Sequence, residues 1–274
     1  MKKESFFSIS EFSKLSDISR KALIFYDKAG LFPPARVDEN GYRYYSSRQI
    51  ELITVINILT ELGMPLKEVK ECMKSRTPCK AVQLLEQQAS IIRHKVKHLN
   101  ALQDMIEMRL SQINRGIILQ NRKFPAMDIV EIMKPVSFFR SIPFRCSKAN
   151  IPDRVFIDFY NQCEECGIPF GYSVGYMITR EDVVQGNHDI ASGICFRMKN
   201  TKYANMTMPA GKYVVVYASC DYGGNTDDIY AELIHFTEKN NYSIKGYSCE
   251  EYLLDELATA NTEEYLIQIS VPIE

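Results

Sequence analysis

Two adjacent carboxylates, Glu250 and Glu251, are the side chains whose type and setting best suit ligand binding. They lie in the segment 247–254, which predicts a strand. Alternate side chains of a strand share a face, so Glu250 and Tyr252 lie on one face and Glu251 on the other. Residues 124–274 also hold twelve of the sixteen tyrosines and nine of the fourteen phenylalanines. A carboxylate among aromatic rings attracts an apolar cation, so this pattern favours a small cationic ligand.

Tyrosines predicted to lie on or near the neighbouring strands are candidate walls of this site. They are Tyr172, Tyr176, Tyr217, Tyr222 and Tyr252. The alternative is that they are ordinary core residues, since tyrosine is often partly buried. A carboxylate in apolar surroundings is costly unless it is paired, so a bound cation would stabilise its ionised form.

Metal, thiol and catalytic chemistry have weaker support in this sequence. Cys163 and Cys166 form the one closely spaced cysteine pair, and neither a second pair nor a nearby histidine completes a zinc site. The four histidines, at positions 94, 98, 188 and 235, form no catalytic set, and no phosphate-binding loop is present. We expect no enzyme activity, no catalytic residue, no metal and no cofactor.

The charge of the chain is unevenly distributed. Residues 1–123 carry a net charge of +8 and residues 124–274 a net charge of −9, which together give the overall −1. A basic half suits a polyanion such as DNA. The apolar runs are too short to span a bilayer and the N-terminus does not resemble a signal peptide, so we expect a cytoplasmic protein with no membrane contact.

The basic half begins with signals for two short helices. Ser8 and Glu11 form a capping box, and Ser19 caps a second helix over residues 20–28 that Gly30 ends. Two such helices joined by a tight turn predict a helix-turn-helix. A hairpin follows over residues 37–44, with Asn40 and Gly41 expected to supply the positive φ angles of its turn.

Two further helices are predicted after the hairpin. A second capping box over residues 46–49 starts a helix that Gly63 ends, and another helix covers residues 66–74. Basic and aromatic side chains on the second helix and the hairpin suit contacts to phosphates and bases. We predict DNA contacts from Arg20, Lys21, Tyr26, Tyr42 and Arg43, the alternative being surface charges and core aromatics.

A long helix is predicted over residues 81–118. Its apolar residues follow a heptad in which nine of ten seam positions are apolar. A seam of this length needs a partner helix, so we predict a coiled-coil homodimer, the alternative being a helix packed on its own chain. The predicted dimerisation residues are Leu85, Ile92, Val96, Leu99, Ile106, Leu110 and Ile113.

After Pro125 the sequence predicts strands and helices, and the order strand, helix, strand, strand occurs two times. The predicted strands cover 128–132, 172–179, 193–198, 212–217, 247–254 and 265–271, and the helices 152–166 and 226–239. The fold class is therefore multidomain. A mostly helical winged helix-turn-helix (5–76) precedes a coiled-coil dimerisation helix (77–121) and an α+β domain of two repeats (122–274).

Three N-terminal stretches resemble the MerR family of transcription regulators: ISRKALIFYDKAGLFP (18–33), NGYRYY (40–45) and LGMPLKEV (62–69). The third stretch adds Lys67 to the predicted DNA contacts. Ile24 departs from the family, which usually has arginine at this position. The resemblance implies a dimer that binds promoter DNA beside RNA polymerase and, on binding an effector, distorts an overlong promoter spacer.

The C-terminal half resembles the gyrase-inhibitor-like effector domain, through EEYLLD (250–255) and more loosely GIPFGY (167–172). Together the two halves resemble the multidrug-sensing, BmrR-type branch of MerR regulators. That branch places an acidic residue at the floor of an aromatic pocket. The resemblance assigns this role to Glu250, with Glu251 as the alternative, and implies an activator.

Other functions stay open at this point. Metal-sensing members of the family use a cysteine just before the long helix, where Cys79 lies here, so a thiol or metal sensor is one alternative. Another is a regulator whose C-terminal domain has hydrolase-like activity, because some related domains resemble hydrolases. A third is a repressor whose second domain is only structural.

Overall fold

The computed structural model describes residues 5–74, 77–121, 127–199, 201–220 and 225–274. These residues fall into two compact units, one within 1–95 and the other within 96–274. The division lies inside one long helix, so each unit contains part of it. In the described ranges, no helix combines the length and the apolar character needed to cross a membrane.

The first unit is mostly helical with a small antiparallel sheet. Its elements are β1 (Phe6–Ser8), α1 (Ile9–Ser16), α2 (Arg20–Lys28), β2 (Arg36–Val37), β3 (Arg43–Ser46), α3 (Gln49–Glu61) and α4 (Leu66–Lys74). The strands lie in the order β1-β3-β2. The long helix α5 (Pro78–Asn121) follows.

The predicted helix-turn-helix is confirmed. The Ser8 side chain accepts from the Glu11 N–H, and Glu11 Oε2 accepts from the Ser8 N–H at 2.8 Å, which completes the capping box. Ser19 caps α2 by accepting from the Ala22 N–H at 3.1 Å. The two helices bury Phe12 and other apolar side chains in one core.

Two local predictions in this unit are wrong. Residues 46–49 do not form a capping box, because α3 begins at Gln49 and no side chain caps it. Gln49 Oε1 instead accepts from the Ser46 N–H at 3.0 Å, which fixes the end of β3 to the start of α3. In the hairpin, Gly41 has positive φ but Asn40 does not, because the turn is closed by the Gly41 N–H on the Asp38 carbonyl.

The long helix α5 extends the predicted range of 81–118 by a few residues at each end. Six of the predicted seam residues are exposed in the single chain. They are Leu85, Ile92, Val96, Leu99, Ile106 and Leu110. Ile113, the seventh, packs against a small cluster that includes Leu253 and Leu254.

The second unit contains an eight-stranded antiparallel sheet. Its further elements are β4 (Met127–Lys134), β5 (Ser137–Ser147), α6 (Asp153–Glu165), β6 (Gly175–Ile178), α7 (Arg180–Gln185), β7 (Ile190–Met198), β8 (Met206–Met208), β9 (Gly211–Ser219), α8 (Asp227–Lys239), β10 (Ser248–Leu254) and β11 (Leu266–Pro272). The strand order is β4-β9-β11-β10-β6-β7-β5-β8.

The predicted duplication is present, but the first repeat begins with β5 and not with the predicted strand 128–132. The repeats are β5-α6-β6-β7 and β9-α8-β10-β11, which meet where β6 pairs with β10. The predicted strand 128–132 lies in β4, which pairs with β9 of the second repeat, while β8 pairs with β5 of the first. The unpredicted strand β5 contains a register shift between Pro143 and Cys146 that breaks the alternation of its sequence.

The sheet has two faces with different surroundings. The helix-covered face carries Tyr176, Tyr252 and Ile269 under Tyr230 and Leu233 of α8. The opposite face is defined by a separate cluster of Phe139, Met177, Cys195, Met208, Tyr213, Val215 and Cys249. Glu250 and Tyr252 therefore lie on one face and Glu251 on the other, as the alternation predicts.

The C-terminal end of α5 packs closely on the end of β10. A Cβ atom at Gly116 would lie 2.6 Å from Leu254 Cγ, so a side chain there would push the helix away. This contact lies within the second unit and brings α5 to the strand that carries both glutamates.

Candidate functional sites

The first candidate site is a basic surface on α2. Arg20 and Lys21 are exposed in its first turn, next to the Ser19 cap. A helix N-terminus presents free N–H groups and the positive end of the helix dipole, which favour a phosphate. These side chains and the helix end can therefore bind one anionic backbone together.

The hairpin places a second set of basic and aromatic side chains. Arg43 Nε lies 2.8 Å from Asp27 Oδ2 of α2, so the hairpin is tied to the helix and its guanidinium is held in place. Tyr42 is 66% exposed beside the turn. The Arg36 guanidinium carbon lies 4.8 Å from the Tyr44 ring centroid. The sequence analysis did not include Arg36, although it directly precedes Val37, the first residue of the predicted hairpin.

The other predicted DNA-binding residues differ in their exposure. Lys67 is exposed on α4. Tyr26 is only 8% exposed and belongs to the core around Phe12. Ile24, at the position where arginine was expected, is partly buried. The structure thus gives Tyr26 a packing role in the core of the first unit.

Glu250 lies inside the second unit and already has a cation. Lys148 Nζ is 2.8 Å from Glu250 Oε1 and 3.1 Å from Oε2, and it also donates to Thr226 Oγ1 at 2.7 Å. The side chains of Lys148 and Glu250 are each 1% exposed. A ligand cation would have to displace the Lys148 ammonium to reach this carboxylate, so the anchoring role of Glu250 stays a prediction.

Polar and aromatic groups enclose this ion pair. Tyr230 shares a hydrogen bond of 2.6 Å with Ser248, and the His188 ring stacks on Tyr230 at 4.5 Å. Burial raises the pKa of Tyr230 well above its ordinary value. Lys148, Thr226 and Tyr230 were missed because they are distant from Glu250 in sequence. The sequence indicated only that a buried glutamate would need a hydrogen-bonding or charged partner, without showing which residue it is.

Glu251 has a different and more accessible environment. Arg197 donates to its carboxylate twice, from Nε at 2.7 Å and Nη2 at 2.6 Å, and Gln268 Nε2 donates at 3.1 Å. Arg115 of α5 bonds to Gln268 Oε1, and Lys134 Nζ donates to Ser270 Oγ at 2.7 Å. Burial acts to raise the pKa of Glu251, but the Arg197, Lys134 and Arg115 charges outweigh it and lower the pKa.

The predicted tyrosine walls are divided between several places. Tyr176 and Tyr252 lie on the helix-covered face with Glu250, whereas Tyr217 lies opposite Gln268 on β9. Tyr172 precedes β6, because the strand predicted over 172–179 begins only at Gly175, and it stacks on Phe196 at 4.4 Å. Tyr222 lies outside the described residues. In the described part of the chain these tyrosines do not form one pocket.

A cavity of about 280 Å³ opens beside the opposite face of the sheet. Its lining residues are Ser141, Pro143, Met177, Ser192, Gly193, Asn205, Met206 and Tyr247. Met177 also belongs to the cluster that defines the opposite face, so the cavity is continuous with it. The opposite face therefore has space for a ligand beside it.

The cysteines were the basis of the thiol alternative. Cys163 is buried, and burial raises its pKa to about 11, so it is a poor nucleophile at neutral pH. Cys79 is exposed. Across residues 5–74, 77–121, 127–199, 201–220 and 225–274, no three side chains of histidine, cysteine, aspartate or glutamate converge to hold a metal ion.

The proteins that this chain resembles are transcription regulators. A family model described as MerR HTH family regulatory protein matches residues 7–76. The Multidrug-efflux transporter 2 regulator of Bacillus subtilis (strain 168) is 29% identical over 99% of this chain and 97% of its own length. The Multidrug-efflux transporter 1 regulator of the same organism is 36% identical over 48% of this chain and 45% of its own length.

One shorter relative and one solved structure complete the comparison. An HTH-type transcriptional regulator of Haemophilus influenzae is 30% identical over 34% of this chain and 73% of its own length. A cryo-EM structure of an EcmrR–DNA complex matches 98% of this chain and 99% of that chain, with 19% identity and a TM-score of 0.40.

Proposed function

Since this chain belongs to the MerR family of HTH regulatory proteins, we propose that it is a dimeric transcription regulator that binds promoter DNA and responds to a small molecule. In this proposal residues 5–76 bind DNA, residues 77–121 form the dimer and residues 122–274 bind the effector. The observation that carries it is the pairing of exposed Arg20 and Lys21 on α2 with a hairpin that Asp27 holds through Arg43.

The proposed DNA contacts divide between bases and phosphates. Arg20 and Lys21 lie on the second helix of the helix-turn-helix, which is the helix that enters the major groove in such motifs. Arg36, Tyr42 and Arg43 on the hairpin suit the sugar-phosphate backbone, because arginine and tyrosine donate to phosphate oxygens. Lys67 is a further proposed phosphate contact.

The dimer is proposed through the exposed seam of α5. In the first unit an apolar groove of about 290 Å³ lies between α3, α4 and the start of α5. It includes Leu85, the first seam residue, and the exposed Val55 and Ile58 of α3. An apolar groove continuous with an exposed seam supports burial against a second copy, since such surfaces are costly in water.

The effector domain is proposed to control promoter distortion beside RNA polymerase. The contact of Gly116 with Leu254 and the two candidate carboxylates on β10 support a route from ligand to dimerisation helix. Two relatives are named as regulators of multidrug-efflux transporters, which supports a small-molecule effector. We propose that the protein is cytoplasmic and acts as an activator, not as an enzyme.

The proposal is tested by selecting binding sites from a library of random DNA duplexes with the full-length chain. A dimer with two identical recognition helices should enrich a site with two-fold symmetry. The matched control is a chain with Arg20→Ala and Lys21→Ala, which should enrich no sequence although it folds. No enrichment by the unmodified chain, or equal enrichment by the variant, would refute the proposed function.

A further inference from the structure

The opposite face of the sheet carries a cluster of charged side chains that differs from the pair around Glu250. Arg197 of β7, Lys134 of β4 and Arg115 of α5 all act on the single carboxylate of Glu251. Arg197 donates to both carboxylate oxygens. Within the part of the chain that the structure describes, Arg115 and Lys134 bond to the neutral Gln268 and Ser270. Among the side chains that the structure describes, three cations therefore act on one carboxylate.

These cationic side chains are partly buried and partly open to solvent. The Arg197 side chain is 17% exposed, and Lys134 and Arg115 are also partly exposed. The Glu250 site differs in both charge and exposure. Lys148 neutralises its carboxylate, and both side chains are buried. A ligand from solution can reach the first cluster without breaking an ion pair.

Two of the three cations also lie against aromatic rings. The Arg197 guanidinium is 4.8 Å from the Phe139 ring centroid, and Lys134 Nζ is 5.3 Å from the Tyr213 ring centroid. These rings belong to the apolar cluster of the opposite face, which borders the cavity through Met177. The surface therefore combines cationic groups with apolar and aromatic contact area.

We infer that this face binds a small aromatic anion, such as an organic carboxylate or sulfonate, at Arg197, Lys134 and Arg115. The inference rests on the proposed function, because it names the charge of the effector that such a regulator would sense. It differs from the sequence-based expectation of a cationic ligand, since neither Arg115 nor Lys134 forms an ion pair with a described carboxylate. A ligand cation would meet repulsion at this face.

The ionisation of Lys134 depends on its burial and on the neighbouring charges. Burial lowers the pKa of Lys134 to about 8; Glu251 opposes this shift, and Arg197 and Arg115 add to it. The other titratable groups near it are the Cys249 thiol and the Tyr213 phenol. Burial raises the pKa of each above its ordinary value, so both stay neutral at neutral pH. A bound anion would favour the charged lysine and should therefore bind less tightly as pH rises through 8.

The test compares two probes of the same shape and opposite charge. Tetraphenylborate and tetraphenylphosphonium are titrated into the full-length protein by calorimetry at pH 7. Tetraphenylborate should bind more tightly by roughly tenfold or more, since one favourable ionic contact of modest strength accounts for that factor. Lys134→Gln and Arg115→Gln should each weaken the borate several-fold, and the matched control Lys239→Gln on exposed α8 should not.

A second measurement repeats the borate titration between pH 7 and pH 9.5. Its affinity should fall across this range in the unmodified protein and fall less in Lys134→Gln. Equal or tighter binding of the phosphonium, no borate binding, or affinity unchanged in both variants would overturn the inference. Enrichment of a symmetric DNA site by the same preparation would then leave the proposed DNA-binding function standing.

Discussion

Arg109 of the long helix and Asp255, the residue directly after β10, form a buried ion pair with 2.6 Å between Nη2 and Oδ1. Their side chains are 7% and 6% exposed. Ser173 Oγ donates to the second Asp255 oxygen at 3.0 Å. The pair joins the helix of the proposed dimer to the strand of both candidate ligand carboxylates, within one compact unit.

We predict that Asp255→Asn lowers the free energy of unfolding by about 3–5 kcal/mol, because it leaves the Arg109 charge buried without a counter-ion. Urea denaturation of the full-length chain measures this change. The matched control is Arg154→Gln, which removes an ion pair to Asp158 on the exposed surface of α6 and should have little effect. Equal losses in the two variants would contradict the structural role of the pair.

The same pair predicts a dependence of stability on pH. Burial acts to raise the pKa of Asp255, but the Arg109 hydrogen bond and charge lower it below its ordinary value of 3.8. The stabilisation is therefore fully present above pH 3.8 and is lost as pH falls through the lowered pKa. The difference between the unmodified protein and Asp255→Asn should shrink in that acidic range. A difference that grows there would reverse the sign of this prediction.

Lys148 and Glu250 give a prediction about a fully buried pair. Lys148→Met should lower the free energy of unfolding by about 3–5 kcal/mol, because Glu250 would keep a buried charge. The double variant Lys148→Met with Glu250→Leu should recover most of that loss, since it removes both charges together. Denaturation of both variants measures the coupling, and a double variant no more stable than the single one would show that the pair is not coupled.

The role of Glu250 in ligand binding can be separated from its role in stability. If Glu250 anchors a cation, Glu250→Gln should weaken tetraphenylphosphonium more than tetraphenylborate. If it acts only as the partner of Lys148, the variant should be less stable but keep the same preference between the two probes. Calorimetry of the folded variant distinguishes these results.

A substitution at Leu99 tests the proposed dimer interface. It is 61% exposed in the single chain and lies in the middle of the heptad seam. Leu99→Asp should give monomers in sedimentation equilibrium, because two aspartates would otherwise be buried in the seam. Asn100→Asp adds the same charge one residue off the seam and should stay dimeric. A dimeric Leu99→Asp would rule out this seam.

Local features were predictable from sequence because neighbouring residues determine them. The cap residues Ser8 and Ser19, the bounds of α2 and the length of α5 depend on spacing along the chain. The alternation of Glu250 and Glu251 between faces follows from strand geometry in the same way. Local rules failed at β5, where the register shift near Pro143 hides the strand.

Long-range pairings were not predictable because tertiary packing alone brings the partners together. Lys148 is 102 residues from Glu250, and Arg109 is 146 residues from Asp255. The exchange of β4 and β8 between the two repeats likewise leaves no pattern in the sequence. The sequence therefore indicates buried carboxylates but not the cations that neutralise them, and hence not the charge of a ligand.

DNA binding is the central claim, and its salt dependence tests it most directly. The duplex selected by the full-length chain is titrated at several salt concentrations with the unmodified protein, Arg43→Ala and the matched control Lys239→Gln. We predict that Arg43→Ala weakens binding and reduces the slope of log affinity against log salt by about 0.9 for each phosphate that the protein no longer neutralises. Lys239→Gln should leave both unchanged. A slope equal in all three proteins would contradict a phosphate contact from the hairpin, and no binding by the unmodified chain would contradict the proposed function itself.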